Sequence, residues 1–105
     1  GREEDRMTAM QLLGYIEDAR VVAPLVGIFN DTGQSDQIRQ AAIWDLAHTP
    51  VRESAEALVS MVNDASLDWF YKEIVIAALR LLAGQEEMAP IVSELLERSQ
   101  GIPRR

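Results

Sequence analysis

Acid–base and nucleophilic chemistry at neutral pH draw on a small set of side chains, and this chain has few of them. It contains one histidine, His48, and no cysteine. Histidine is the side chain that titrates unaided near neutrality, so a single copy allows at most one such base. Without cysteine there is no thiolate nucleophile, no disulfide framework and no thiolate zinc site. Serines and carboxylates lacking a partnered base do not make a triad. Gly14, Gly27, Gly33 and Gly84 are isolated, so neither a phosphate-cradling loop nor a dinucleotide fingerprint can be drawn. Two acidic runs, Glu3-Glu4-Asp5 and Glu86-Glu87, carry the charge of a cation site. In the first turn of a helix, however, such residues simply face the positive end of the helix dipole, and His48 beside Thr49-Pro50 would face a negative end. The expectation is a chain that is not an enzyme, with no catalytic residue, no metal and no cofactor.

Charge narrows the partners. Seventeen acidic residues against ten basic give a net charge of −7, and Lys72 is the single lysine. Phosphate backbones are held by stripes of lysine and arginine, so nucleic acid is not an expected ligand. No run approaches the roughly 18 apolar residues that span a membrane. Gly1-Arg2-Glu3-Glu4-Asp5 does not read as a signal peptide, and a start without methionine suggests a piece of a longer polypeptide. The absence of cysteine leaves the compartment open, with the cytoplasm favoured. A length of 105 residues reads as one domain, able to bury a core without metal or disulfide.

The elements that would position any surface come from an internal repeat. Ala9, Leu13 and Gly14 match Ala42, Leu46 and Ala47 at 33 residues, and these match Ala78, Leu82 and Ala83 at 36. Pro24-Leu25 matches Ala57-Leu58 and then Pro90-Ile91, at 33 and 33. Asn30-Asp31 recurs as Asn63-Asp64, again 33 on. Each unit reads as two helices: first helices over about 4–16, 36–48 and 68–83, second helices over about 19–30, 51–63 and 86–98. Val22, Leu25 and Phe29 keep helical spacing, as do Met88, Ile91 and Leu95. Ala42 and Ala78 let paired helices approach, and Leu46 and Leu82 fill the groove a turn later. The three additional residues of the third unit fall between Asp64 and Lys72, where a loop would absorb them. Ser35 and Asp68 are expected N-caps, and Thr49-Pro50 ends a helix. The fold class is all-α, with units over about 4–31, 36–64 and 68–98 and a tail over 99–105.

These residues resemble a known family. Asp18-Ala19-Arg20-Val21-Val22-Ala23-Pro24-Leu25 is similar to the pattern that opens the second helix of short, phycobilisome-lyase-type HEAT repeats. Gln37-Ile38-Arg39-Gln40-Ala41-Ala42-Ile43-Trp44-Asp45-Leu46-Ala47 resembles the same family's first helix. The resemblance implies an α-solenoid of about three antiparallel hairpins, a right-handed superhelix whose second helices line a concave partner-binding face. It also implies an Asp–Arg ladder between units, with Asp31, Asp64 and Arg39 in its places. Deoxyhypusine hydroxylase, a HEAT-type enzyme, draws its iron ligands from His-Glu pairs, and none occurs here. Alkylation-repair glycosylases of similar build need a basic groove, whereas these second helices carry Glu53, Glu56, Glu86, Glu87 and Glu94.

Three surfaces are candidates for a partner. Trp44 stands where the family pattern has an exposed Glu; it is either a binding anchor or packing against a neighbour. Trp69-Phe70-Tyr71 fans over about 200° of helix, so the three rings cannot share one core. Phe70 or Tyr71 should join Ile74, Ala78 and Leu82 inside, with Trp69 over the adjoining loop. The helix over 68–83 is apolar nearly all round, which predicts cover on both sides. Glu53, Glu56, Glu87 and Glu94 make an acidic groove suited to a basic peptide or protein. The expected function is a non-catalytic protein-interaction or scaffolding module. The alternatives are a lyase-like or regulatory HEAT domain that assists an enzyme or holds a small ligand, and a structural spacer. A binding module predicts an exposed Trp44 or Trp69; a spacer predicts both buried.

Overall fold

Turn residues and proline divide the chain into helices whose apolar sides must be hidden on one another. The computed structural model describes residues 18–100. It contains α1 (Val22–Asn30), α2 (Asp36–Ala47), α3 (Arg52–Val62), α4 (Trp69–Ala83) and α5 (Ala89–Gln100), with no strand among the described residues. The expected helix over 4–16, with Ala9, Leu13 and Gly14, and the acidic run Glu3-Glu4-Asp5 lie outside the described residues. So does the expected tail beyond Gln100, whereas Ser99 and Gln100 belong to α5 rather than to a tail.

The caps explain the first-helix boundaries. Ser35 Oγ accepts from the Ile38 amide at 3.2 Å, and Asp68 Oδ1 accepts from the Phe70 amide at 3.4 Å. Each cap satisfies an amide that has no carbonyl partner within its helix. The second helices α1 and α5 begin about three residues later than expected, at 22 and 89 instead of 19 and 86. Asp18–Arg20 are helical and Val21 is a turn, so the chain bends three residues ahead of Pro24. Pro24 and Pro90 have no N–H to offer the carbonyls of Arg20 and Glu86, so each removes one rung from the first turn of its helix. Leu25 bonds back to Val21, and Val92 to Met88. In α3 the matching position is Ala57, and that helix starts five residues ahead of it.

Packing follows the two repeated sets. α1 packs on α2, α2 on α3 and on α4, α3 on α4 and on α5, and α4 on α5, while α1 touches α3 more lightly. Two of the pairs aligned by sequence are deeply hidden: Ala42, Leu46, Ala78 and Leu82 are all at most 2% exposed, whereas Ala83, aligned with the buried Ala47, is half-buried. Ile43, Val51, Ala55, Leu58, Val75 and Met88 complete one continuous core with them.

Three expectations are corrected here. The additional residues of the third unit do lie between Asp64 and Lys72, but not as loop. The N-caps Ser35 and Asp68 are 33 apart, whereas the helix ends Ala47 and Ala83 are 36 apart. The difference is therefore helical: α4 has 15 residues against 12 in α2, about one further turn at its N-terminal end. α4 is also not covered on both sides, since Leu81 is 43% exposed and Ala77 is exposed. Of the residues expected inside it, Tyr71, Ala78 and Leu82 are buried but Ile74 is only half-buried; Val75 and Leu79 take the inner positions.

One core atom is unsatisfied. The Ser54 hydroxyl, on α3, is fully buried without a hydrogen-bond partner. An unpaired hydroxyl in an apolar setting costs about 1–3 kcal/mol. Ser54→Ala should therefore hold or raise stability by up to about 1 kcal/mol, read as an unchanged or higher urea midpoint. A marked loss would mean that the hydroxyl has a role this geometry lacks.

Candidate functional site

The additional turn of α4 carries Trp69, Phe70 and Tyr71, and the structure sends the three rings different ways. Tyr71 points inward and is 5% exposed, Phe70 is 49% exposed, and Trp69 is 66% exposed. Trp69 does not cover the preceding loop as expected; its visible partner is Lys72, whose Nζ lies 5.3 Å from the ring centroid. One helical turn separates these two residues, so the contact follows from i, i+3 spacing. Phe70 packs edge-on to Tyr71 at 5.1 Å, and Tyr71 edge-on to Phe29 of α1 at 5.4 Å. A row of three rings thus runs from the core to the surface.

Arg39 fixes that row. Its guanidinium carbon lies 4.9 Å from the Phe29 centroid and 4.5 Å from that of Tyr71, and its Nε donates to the Phe29 carbonyl at 2.7 Å. That carbonyl belongs to the last turn of α1, where intrahelical donors run out, and α1 has no basic residue of its own there. Arg39 supplies the cation from the next helix. The Asp–Arg ladder is accordingly corrected. Asp31 turns back to the Gly33 amide and the Gln34 side chain, and Asp64 to the amide and hydroxyl of Ser66. Asx turns of this kind use the carboxylate locally, while Arg39 finds a carbonyl and two rings instead. The Ser66 hydrogen bonds hold the Asp64 carboxyl below its ordinary value, with Lys72 adding a little.

The Tyr71 hydroxyl donates to Asp36 Oδ1, joining the third residue of α4 to the first of α2. Burial, and then this bond to Asp36, push the Tyr71 phenol above its ordinary value of 10.0, although Arg39 pulls the other way. A raised native pKa makes a contribution that is whole below the unfolded pKa and lost as pH climbs past it. Stability should therefore be flat from about pH 8 to 10 and fall above that, as followed by urea midpoints. Tyr71→Phe should cost about 1 kcal/mol at pH 8 and remove most of the alkaline decline. An identical decline in the variant would assign it to another group.

Beside this row lies a cleft of about 490 Å³ between the C-terminal ends of α1 and α3. Val26, Phe29, Met61 and Leu67 form its apolar floor. Asn30, Ser60, Asn63 and Asp64 give it a polar rim. Phe29 belongs to both features, so a buried ring links the aromatic row to the wall of the cleft.

The other candidate residues lie apart from it. Trp44 is half-buried and packs against the core, and its carbonyl meets His48 Nδ1 at 2.7 Å, with His48 as the C-cap of α2. Glu56 and Glu94 do come together, but around Arg52: its Nε is 3.3 Å from Glu56 and its Nη1 3.6 Å from Glu94. Arg98 closes on Glu94 at 3.2 Å. These partly exposed pairs are worth at most about 1 kcal/mol each, yet they offset much of the acidic strip's charge. Glu53 is half-buried in the first turn of α3, and Glu87 is exposed in the turn before α5. Among the described residues no three His, Asp or Glu side chains converge as metal ligands, and no helix is long and apolar enough to cross a membrane. Comparison of the chain with protein-family models, curated proteins and solved structures finds no match.

Proposed function

We propose that this chain is a non-catalytic protein-interaction module, a short right-handed α-solenoid of HEAT-type hairpins whose partner docks on the aromatic turn at the start of α4. The solenoid reading is supported by each helix meeting its neighbour and its next-but-one, with Ala42 and Leu46 matched by the buried Ala78 and Leu82 at 36 residues and Val22, Ala55 and Met88 buried at intervals of 33. The binding reading is carried by one observation: Trp69, on a turn that α2 lacks, is two-thirds exposed. Large aromatics are favoured anchors at protein interfaces, and a turn added beyond the packed length of α2 contributes little burial of its own through Trp69. A spacer would hide that ring.

The test is affinity capture with the wild type, a Trp69→Ser/Phe70→Ser variant and a Glu53→Lys/Glu56→Lys/Glu87→Lys/Glu94→Lys variant. The aromatic variant should lose about tenfold or more in partner affinity, as a hot spot of 2 kcal/mol or above requires. The charge variant should change it less, because Glu56 and Glu94 are already ion-paired. Full capture by the aromatic variant, with loss in the charge variant, would move the interface to the acidic strip.

A further inference from the structure

We infer that the cleft between α1 and α3 is a subsite for an arginine side chain presented by the partner protein, next to the aromatic turn. The inference rests on the binding reading above and specifies the chemistry of what is bound. Its first basis is shape: a cleft lined by the buried Phe29 and Met61 and by the exposed Asn30, Ser60, Asn63 and Asp64 suits a side chain that is aliphatic along its stem and polar at its tip.

The second basis is the sign and number of the rim groups. The cleft is built on two helix C-termini. Arg39 already meets the Phe29 carbonyl at the end of α1, so the larger negative partial charge is that of α3, which has no basic residue in its last turn. Asp64 adds a full negative charge. The two turns that frame this edge contain four aspartates, Asp31, Asp36, Asp64 and Asp68. The cations next to them are Arg39 and Lys72, the one occupied by the Phe29 carbonyl and two rings, the other lying over Trp69. The third basis is that the rim is accessible: Asn30, Ser60 and Asn63 are all exposed at the mouth of the cleft. Three oxygens able to accept, together with a carboxylate, match the five N–H donors of a guanidinium better than the compact ammonium of lysine.

The recurrence of Asn30-Asp31 as Asn63-Asp64 acquires a use here. The repeat brings one asparagine from each unit to the same cleft, so the site exists only where two units meet.

The experiment is an NMR titration of the full chain with a blocked Ala-Leu-Arg-Leu-Ala pentapeptide. The same peptide with citrulline, which keeps the shape without the charge, and with lysine serve as comparisons. The arginine peptide should shift the side-chain amides of Asn30 and Asn63 and the backbone amide of Leu67, saturably. Citrulline should bind about tenfold more weakly, and lysine between the two. Asn30→Ala/Asn63→Ala, both exposed and therefore safe for the fold, should weaken the arginine and citrulline peptides alike, by about fivefold, because the asparagine oxygens accept from N–H groups that both side chains carry. Equal binding of arginine and citrulline, shifts confined to other surfaces, or no saturable shift would each overturn the assignment. A partner that still needs Trp69 while the cleft ignores arginine would sink this inference alone. Arginine entering the cleft of a chain whose partner ignores Trp69 would sink the aromatic reading instead.

Discussion

Leu82→Ala is expected to lower the free energy of unfolding by about 3–4 kcal/mol, the cost of a large apolar side chain removed from a site that cannot collapse around the hole. Leu82 has no exposed surface and lies where α4 meets its neighbours, one turn beyond Ala78. Domains of this size are stable by about 5–15 kcal/mol, so the variant should unfold at much lower urea. The neighbouring residue supplies the control. Leu81 is 43% exposed on the open side of the same helix, and Leu81→Ala should stay within about 0.5 kcal/mol of wild type. Two adjacent leucines with opposite outcomes would establish the phase of α4. Equal costs would mean that the helix is rotated from the position described.

Arg39→Ala should cost about 2–4 kcal/mol, more than an ordinary surface arginine. The side chain combines a charge-assisted hydrogen bond to the Phe29 carbonyl with contacts to two aromatic faces, and it is itself partly buried. Removing it leaves a last-turn carbonyl of α1 without its donor and opens the space between Phe29 and Tyr71. Arg39→Lys should recover no more than about half of the loss. An ammonium cannot lie flat between two rings and donate a fixed N–H at the same time. The loss should be greatest in α1, which hydrogen exchange resolves as faster opening of its amides relative to those of α3 and α4. Full recovery by lysine would show that charge alone, rather than the planar group, holds α1 to α2 and α4.

What the sequence makes legible here is whatever periodicity and short-range chemistry dictate. The apolar spacing places Ala42, Leu46, Ala78 and Leu82 inside, and the caps Ser35 and Asp68 are recognisable because a side-chain oxygen must meet an amide a few residues on. Proline is only half legible. Its position early in α1 and α5 is plain, but the start of each helix only two residues and one residue ahead of it is not. The site was harder to see because it depends on contacts between residues far apart in the chain. Arg39 is expected to pair with an aspartate, yet its ring partners are 10 residues back and 32 ahead, and no local pattern announces them. Tyr71 lies outside the repeat altogether, on the added turn of α4. Asn30 and Asn63 are visible as a mark of period, and nothing in one sequence tells that both line one cleft. The acidic strip illustrates the reverse: Glu56 and Glu94 read as free charge until Arg52 and Arg98 are found between them.

The aromatic turn poses a question of cost. An exposed tryptophan beside a half-exposed phenylalanine places apolar surface in water, and a chain selected for stability alone gains nothing from Trp69 there. Trp69→Ser should accordingly leave the urea midpoint within about 0.5 kcal/mol of wild type. Stability and binding would then separate at one residue, as expected where a surface serves a partner.

The central claim is that Trp69 and Phe70 touch another protein, and site-specific photo-crosslinking inside the cells that make this chain tests it most directly. A photoreactive phenylalanine analogue placed at position 69 or 70 should give a discrete adduct of higher mass. The same analogue at Ser93, exposed on α5, should give none. Adducts that form equally at all three positions, or at Ser93 and not at the aromatic turn, would contradict the account.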